Sequence, residues 1–197
     1  MKLNKKSLPL YLAGLGIVIS LVAGVTFAAF TDKAKVMGST FSVGSADLRF
    51  LEDMPKGTDP TNLVDEIPGP TFGNIGQTWS ADYPVKLINN GTSGITIASR
   101  AYYETVNDPA ELRSDINVEI FEWNDANVNG VLDPGEVGMS LGKKTILKWK
   151  TEGLGVGQIN PGQVRALVLR FSTENLSSTK QGKSALFDFE FESAQMY

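Results

Sequence analysis

The chain has 197 residues, of which 42% are hydrophobic and 20% are charged, and it contains neither cysteine nor histidine. The lack of histidine excludes Ser-His-Asp and Cys-His nucleophiles and HExxH zinc sites. The lack of cysteine excludes thiolate chemistry, zinc ribbons and disulfides. Carboxylate-only chemistry, such as that of a glycosidase pair, is still compatible with this composition.

The start of the chain has the three parts of a secretory signal peptide. Three lysines precede an uncharged apolar run over residues 8–30. Thr26 and Ala28 are small residues at positions −3 and −1, which predicts a signal peptide over residues 1–28 and a mature chain that begins at Ala29. The alternative is a membrane anchor, since about 20 apolar residues span a bilayer. The proline and glycines within the run make a weak permanent helix and favour cleavage.

The charge of the mature chain bears on its partners. Removal of residues 1–28 takes away three of the 18 basic residues and none of the 22 acidic ones, which leaves a formal charge of −7. A nucleic-acid partner is not expected, because phosphate binding needs a basic surface. We expect a secreted protein, in the extracellular space or at the cell surface, that meets signal peptidase and the membrane only during export.

The mature chain has the periodicity of β-strands. Phe187, Phe189 and Phe191 alternate with acidic residues, and the apolar run over 164–171 is typical of a central strand covered on both faces. Further strands are predicted over residues 40–50 (broken at Gly44), 83–88, 95–103, 116–121 and 145–150. No sustained helical periodicity occurs; one helical turn is compatible with residues 108–114, and residues 51–70 read as a proline-rich loop.

Short strands separated by Gly, Asn, Pro and Ser turns predict an all-β fold. We therefore expect one antiparallel β-sandwich domain over residues 39–197.

One segment matches the motif D-x-[DN]-x-[DN]-G-x5-E, which forms Ca²⁺-binding loops. Residues 125–136 read DANVNGVLDPGE. Ca²⁺ takes six to eight oxygen ligands, and this spacing supplies them around a sharp turn at Gly130. The predicted ligands are the side chains of Asp125, Asn127, Asn129, Asp133 (through water) and Glu136, and the backbone carbonyl of Val131.

The alternative interpretation of this segment is an ordinary Asn/Asp/Gly-rich turn between strands. Because a strand precedes the loop and a glycine-rich segment follows it, we expect a structural Ca²⁺ site and no helix-loop-helix sensor.

Residues 29–38 form a separate amphipathic strand directly after the cleavage site. Phe30, Ala34 and Val36 share one face with Asp32, while Thr31, Lys33 and Lys35 lie on the other. Such a strand can fold back on its own domain or complete the sheet of a neighbouring copy. A neighbour-completing strand makes a head-to-tail contact, which propagates a filament. Both arrangements bury the same face, so the pattern leaves them open.

Five segments in order carry a family resemblance. They are TFAAFTD at 26–32, TFSVGSADL at 40–48, PVKLINNGT at 84–92, NPGQ at 160–163, and QG, FDFEF and AQ between residues 181 and 195. Together they resemble the TasA/camelysin (CalY) family of secreted biofilm-matrix proteins. The resemblance implies a jelly-roll sandwich, export through a dedicated signal peptidase and assembly into extracellular fibres. The metalloprotease activity described for one member is not carried over, since the chain lacks histidine.

The expected function is that of a structural subunit of extracellular fibres, a homo-oligomer joined by N-terminal strand donation and stabilised by Ca²⁺. A monomeric Ca²⁺-dependent adhesion or binding module is the alternative. A glycosidase has little support, because the acidic pairs at 52–53 and 65–66 lie in a loop without an evident cleft. We therefore expect no enzyme activity and no catalytic residues.

Overall fold

The computed structural model describes residues 44–195. The predicted signal peptide, the cleavage site between Ala28 and Ala29, and the N-terminal strand with Phe30, Ala34 and Val36 lie outside the described residues. Within residues 44–195, no helix is both long enough and apolar enough to cross a bilayer.

The described residues form nine strands and one short α-helix. They are β1 (Leu48–Leu51), β2 (Leu63–Val64), β3 (Trp79–Asn89), β4 (Ile95–Tyr102), β5 (Asn117–Trp123), β6 (Val137–Thr145), α1 (Ile146–Glu152), β7 (Leu154–Ile159), β8 (Val164–Thr173) and β9 (Asp188–Gln195).

The strands pair antiparallel in two sheets of unequal size. The large sheet has the order β2-β1-β3-β8-β5-β6, and the small sheet has the order β7-β4-β9. Their inner faces share one apolar core, which includes Leu87 and Leu167 from the large sheet and Ile95 and Ile97 from the small one, all fully buried. The predicted all-β antiparallel sandwich is confirmed.

Strand β8 is central, as its apolar run predicted. It pairs with β3 on one side and with β5 on the other. Leu167, Val168 and Leu169 are at most 3% exposed, so both faces of the strand are covered at this point. The strands predicted around residues 83–88, 95–103 and 116–121 and in the closing Phe-rich segment are also observed, as β3, β4, β5 and β9.

The strand predicted over residues 145–150 is wrong, because this segment is the helix α1. Ile146 and Trp149 are the buried residues of the helix, a spacing of three that suits a helix and not a strand. Thr145 caps the N-terminus by accepting a hydrogen bond from the Lys148 N–H, and Gly153 ends the helix at φ 66°. The pattern of apolar and polar residues in this segment is compatible with the two-residue period of a strand and with the 3.6-residue period of a helix. Burial of Trp149 in the core favours the helix.

Three strands were not predicted. β6 and β7 contain glycine and lie at the edges of their sheets. Their apolar and polar residues alternate only weakly, so the sequence pattern does not indicate a strand. The proline-rich loop over 51–70 contains the two-residue strand β2, which pairs with β1. The helical turn expected within residues 108–114 is present as a single 3₁₀ turn, Leu112–Ser114.

Candidate metal centre

The loop with the predicted Ca²⁺ ligands joins β5 to β6. Trp123 and Val137 pair at its base, and the Asn124 N–H donates to the Glu136 carbonyl at 2.9 Å. The hairpin therefore brings residues 125–136 together as one closed loop between two strands. No helix flanks it, in agreement with the expected absence of a helix-loop-helix.

Asp125 is the residue around which the loop turns. Its side chain is 4% exposed. One carboxylate oxygen, Oδ1, accepts a hydrogen bond from the Asn129 N–H at 3.1 Å. The other, Oδ2, accepts from the Gly130 N–H at 3.0 Å and from the Lys86 ammonium at 2.5 Å.

These contacts keep Asp125 ionised. Burial by itself raises the pKa of this carboxyl, but hydrogen bonds from Lys86 and from the backbone N–H groups of Gly130 and Asn129 together outweigh it. The pKa of Asp125 is therefore below its ordinary value, because the donors favour the charged form.

The two asparagines of the motif surround Asp133. The side-chain amides of Asn127 and Asn129 both donate to Asp133 Oδ2 at 2.8 Å. Their carbonyl oxygens accept from the backbone: Asn127 Oδ1 from the Asn129 N–H at 3.1 Å, and Asn129 Oδ1 from the Val131 N–H at 2.7 Å. The three polar side chains thus form one network on the exposed side of the loop.

Glu136 closes the loop from inside. It is 8% exposed. Its Oε2 accepts hydrogen bonds from the Trp123 indole N–H and from the Asp133 N–H, both at 3.0 Å. A buried carboxylate with two such donors is held in one orientation. The first and last predicted ligands are therefore the most buried of the six.

Gly130 has the role that the motif assigns to it. Its φ is 70°, and a Cβ atom at this position would lie 2.6 Å from Pro55 Cδ and 2.7 Å from Pro55 N. Only glycine fits both the left-handed backbone and this close approach. The loop consequently packs against the 3₁₀ turn Met54–Lys56.

Lys86 is a member of the site that the sequence did not indicate. Strand alternation places it, with Ile88, on the face of β3 opposite the core residues Val85 and Leu87. Lys86 and Ile88 are nevertheless only 7% and 4% exposed. Trp123 helps to bury Lys86, since the centre of its ring lies 4.8 Å from the Lys86 ammonium. Only the tertiary fold could reveal this contact, because residues 86 and 125 are far apart in the chain.

The donor atoms of the loop are of the type that Ca²⁺ prefers, namely carboxylate and amide oxygens. They are engaged with one another and with Lys86. Across residues 44–195, no group of three or more Asp, Glu, His or Cys side chains is close enough to hold a metal ion. Ca²⁺ binding by the six predicted ligands thus stays a prediction.

Val128 has a strained backbone conformation in this loop, and a substitution that removes the strain should stabilise the protein. It is a β-branched residue at φ 55° with a 71% exposed side chain. The left-handed region costs such a residue about 1–2 kcal/mol, whereas asparagine adopts it readily. Val128→Asn should therefore raise the free energy of unfolding by about 1 kcal/mol in urea titrations.

Val131→Asn is the control for this variant. Val131 is also exposed, at 57%, but is not among the residues with positive φ. Its replacement should change the free energy of unfolding by less than about 0.5 kcal/mol. Equal stabilisation by both variants would contradict an origin in backbone strain.

The described fold and loop define the class of protein: an all-β, two-sheet antiparallel sandwich with a polar, acidic hairpin loop. No protein-family model matches the chain, and comparison with curated proteins returns no match. The resemblance to the TasA/camelysin family accordingly remains a prediction from the five quoted segments.

Proposed function

We propose that this chain is an exported structural subunit of extracellular, biofilm-matrix-type fibres, a homo-oligomer assembled by strand addition and stabilised by Ca²⁺. The observation that carries the proposal is the outer edge of β9. Among residues 44–195, β9 pairs only with β4, so this edge of the small sheet has no neighbouring strand. An exposed edge presents backbone donors and acceptors that another strand can pair with.

The edge of β9 is better suited to pairing than the other edges of the two sheets. β9 pairs with β4 in an unbroken register over eight residues. The edge strands β6 and β7 pair through irregular registers, and β2 has only two residues. Bulges and short strands protect an edge from intermolecular pairing. By this criterion β9 is the edge open to a further strand.

Three phenylalanines at the β9 end of the core are only partly covered by the described residues. Phe187, Phe189 and Phe191 are half-buried, although they point towards the large sheet and contact other aromatic rings. Phe191, for example, packs edge-to-face on Phe50 at 5.9 Å between ring centres. The predicted N-terminal strand of a neighbour, with Phe30, Ala34 and Val36 on one face, would cover this surface and contribute about 25 cal/mol per Å² of apolar area.

Charge complementarity favours the same arrangement. The outward face of β9 carries Asp188, Glu190 and Glu192, all exposed. A strand that turns Phe30 and Val36 inward would place Lys33 and Lys35 outward, beside these acids. Opposite charges on neighbouring strands stabilise a sheet by roughly 0.2–1 kcal/mol per pair. A contact between the N-terminal strand of one copy and β9 of the next is heterologous, and it extends into a filament.

Charge reversal at β9 tests the proposal. Negative-stain electron microscopy and light scattering of mature protein, residues 29–197, should show fibres. We expect Glu190→Lys to slow or abolish assembly, because it places like charges beside Lys33 and Lys35. Glu190 also lies opposite Arg100 of β4, so a small decrease in melting temperature should accompany the substitution, and circular dichroism should show that the domain stays folded. Adding Lys33→Glu alone to this variant should restore assembly in part, because it pairs one new acid with the one new lysine and keeps Lys35 beside the remaining acids of β9.

The control is Glu66→Lys, which makes the same change in net charge in the exposed loop 51–70. It should assemble like the unmodified protein. If Glu190→Lys also assembles normally, strand addition at β9 is wrong. If mature protein stays monomeric under all conditions that retain Ca²⁺, a monomeric Ca²⁺-dependent adhesion module becomes the better description.

A further inference from the structure

A buried ion pair connects β3 to the loop that follows β5. The side chains of Lys86 and Asp125 are 8% and 4% exposed, and the Lys86 ammonium lies 2.5 Å from Asp125 Oδ2. In the other lysine–carboxylate pairs of residues 44–195, both side chains are at least 21% exposed. Lys86 and Asp125 are therefore the pair that the fold withdraws from water.

The lysine side chain crosses the central strand β8 to reach its partner. Lys86 lies opposite Ala166 of β8 in the antiparallel register, and β8 separates β3 from β5. Opposite residues of neighbouring strands point to the same face of a sheet, and a side chain as small as alanine does not obstruct the lysine stem. Beyond β8, the ring centre of Trp123 at the end of β5 lies 4.8 Å from the ammonium. The pair thus spans three strands of the large sheet.

Burial makes the uncharged form of this pair accessible. Two opposite charges taken out of water carry a desolvation penalty that can exceed the gain from their attraction. Transfer of one proton along the hydrogen bond removes both charges, and it leaves an amine, which is a nucleophile, against a carboxylic acid. A site closed to water also protects the product of a condensation from hydrolysis.

Two backbone N–H groups are placed to assist attack on the carboxyl carbon of Asp125. The Gly130 N–H donates to Oδ2 at 3.0 Å, and the Asn129 N–H donates to Oδ1 at 3.1 Å. Donors in these positions stabilise the negative charge that develops on oxygen in a tetrahedral intermediate. The Asn129 N–H also donates to Asn127 Oδ1 at 3.1 Å, so it keeps a partner when Oδ1 of Asp125 departs.

We propose that Lys86 and Asp125 condense to an amide, an isopeptide cross-link between β3 and the β5–β6 loop. The ammonium gives one proton to the carboxyl group, and the neutral Nζ attacks Cγ of Asp125. A bond forms between Nζ and Cγ, and the bond between Cγ and Oδ1 breaks. Oδ1 leaves as water with that proton and a second one from Nζ, so the reaction needs no oxidant and no further reactant.

The cross-link gives the domain a covalent constraint that its composition otherwise excludes, since the chain contains no cysteine and hence no disulfide. It closes residues 86–125 into a covalent ring that includes β4 and β5, and a pulling force on the chain ends cannot extend this ring. The inference goes beyond the proposed function and depends on neither fibres nor Ca²⁺. The amide keeps Oδ2 of Asp125 as a carbonyl oxygen that accepts from the Gly130 N–H.

Intact-mass spectrometry of denatured mature protein, residues 29–197, tests the proposal directly. The unmodified protein should weigh less than its sequence by the mass of one water molecule. Lys86→Met and Asp125→Ala should each have the full mass of their sequences. This readout does not require that the variants fold, because the bond cannot form in either of them. An unmodified protein with the full mass of its sequence would overturn the proposal.

A tryptic digest of the unmodified protein locates the bond. Trypsin does not cleave after a lysine whose Nζ is acylated, so residues 57–100 should remain uncut at Lys86 and appear joined to residues 114–143. A loss of water that maps to any other pair of residues would contradict the assignment.

Lys143→Met is the matched control for the intact mass. Lys143 also forms an ion pair at 2.5 Å, with Glu174, but at a much more exposed position on β6. This variant should still weigh less than its sequence by one water molecule. If Lys143→Met has the full mass while the unmodified protein does not, the loss of water does not come from Lys86 and Asp125.

Discussion

Deletion of residues 29–37 from the mature chain should abolish polymerisation and leave a folded β-sandwich. The described core includes Val85 of β3 and Trp149 of α1, with Phe189 of β9 packed against it, and all of its residues lie within 44–195, which the deletion leaves intact. The proposed contact between subunits, in contrast, depends on this segment. Electron microscopy and sedimentation should find monomers, and circular dichroism should find the unchanged β spectrum.

A single substitution should reproduce much of this effect. Phe30→Asp puts a charge where the proposed contact buries an aromatic ring next to β9, and an unpaired charge in such a place has a high desolvation penalty. Lys33→Ser, on the opposite face of the strand, removes one favourable charge and should still assemble. Fibres formed by the deletion variant as readily as by the mature chain would rule out N-terminal strand donation.

Ca²⁺ should raise the melting temperature of the unmodified protein, and Glu136→Gln should remove this increase. Extracellular Ca²⁺ modules bind with dissociation constants of roughly 10⁻⁴–10⁻³ M. At about 100 times that constant, a ligand that binds only the folded state adds about 2.7 kcal/mol, or roughly 5–10 °C for a domain of this size. Calorimetric melts in Ca²⁺ and in chelator measure the difference.

Glutamine is a better replacement than alanine at this position. Glu136 is buried, and its Oε2 accepts hydrogen bonds from the Trp123 indole and from the Asp133 N–H. An amide oxygen can keep these bonds while the negative charge is lost, whereas alanine would leave a buried indole N–H without a partner.

Glu122→Gln on β5 is the control for the metal effect. Glu122 pairs with Arg165 outside the loop, so the difference between the two melts should persist. Identical melts of the unmodified protein with Ca²⁺ and with chelator would indicate that residues 125–136 form an ordinary turn that does not bind Ca²⁺.

Local patterns of residues predict the fold class and most of the central strands. Alternation of apolar and polar residues predicts β3, β4, β5 and β9, because a strand with one buried face buries every second residue. An unbroken apolar run predicts β8, because a central strand is covered on both faces. The loop at 125–136 was equally visible, since its spacing and its turn at Gly130 are properties of consecutive residues. These features depend on local periodicity and backbone geometry.

Other features depend on contacts between distant segments and are visible only in the folded chain. Residues 145–150 fit either period, and the fully buried Trp149 selects the helix. Lys86 follows the pattern of an outward-facing strand residue, but its ammonium is buried against Asp125 and Trp123. The open edge of β9 likewise follows from sheet order. In each case the free energy comes from burial and pairing across the sheets, which the order of residues along one segment does not encode.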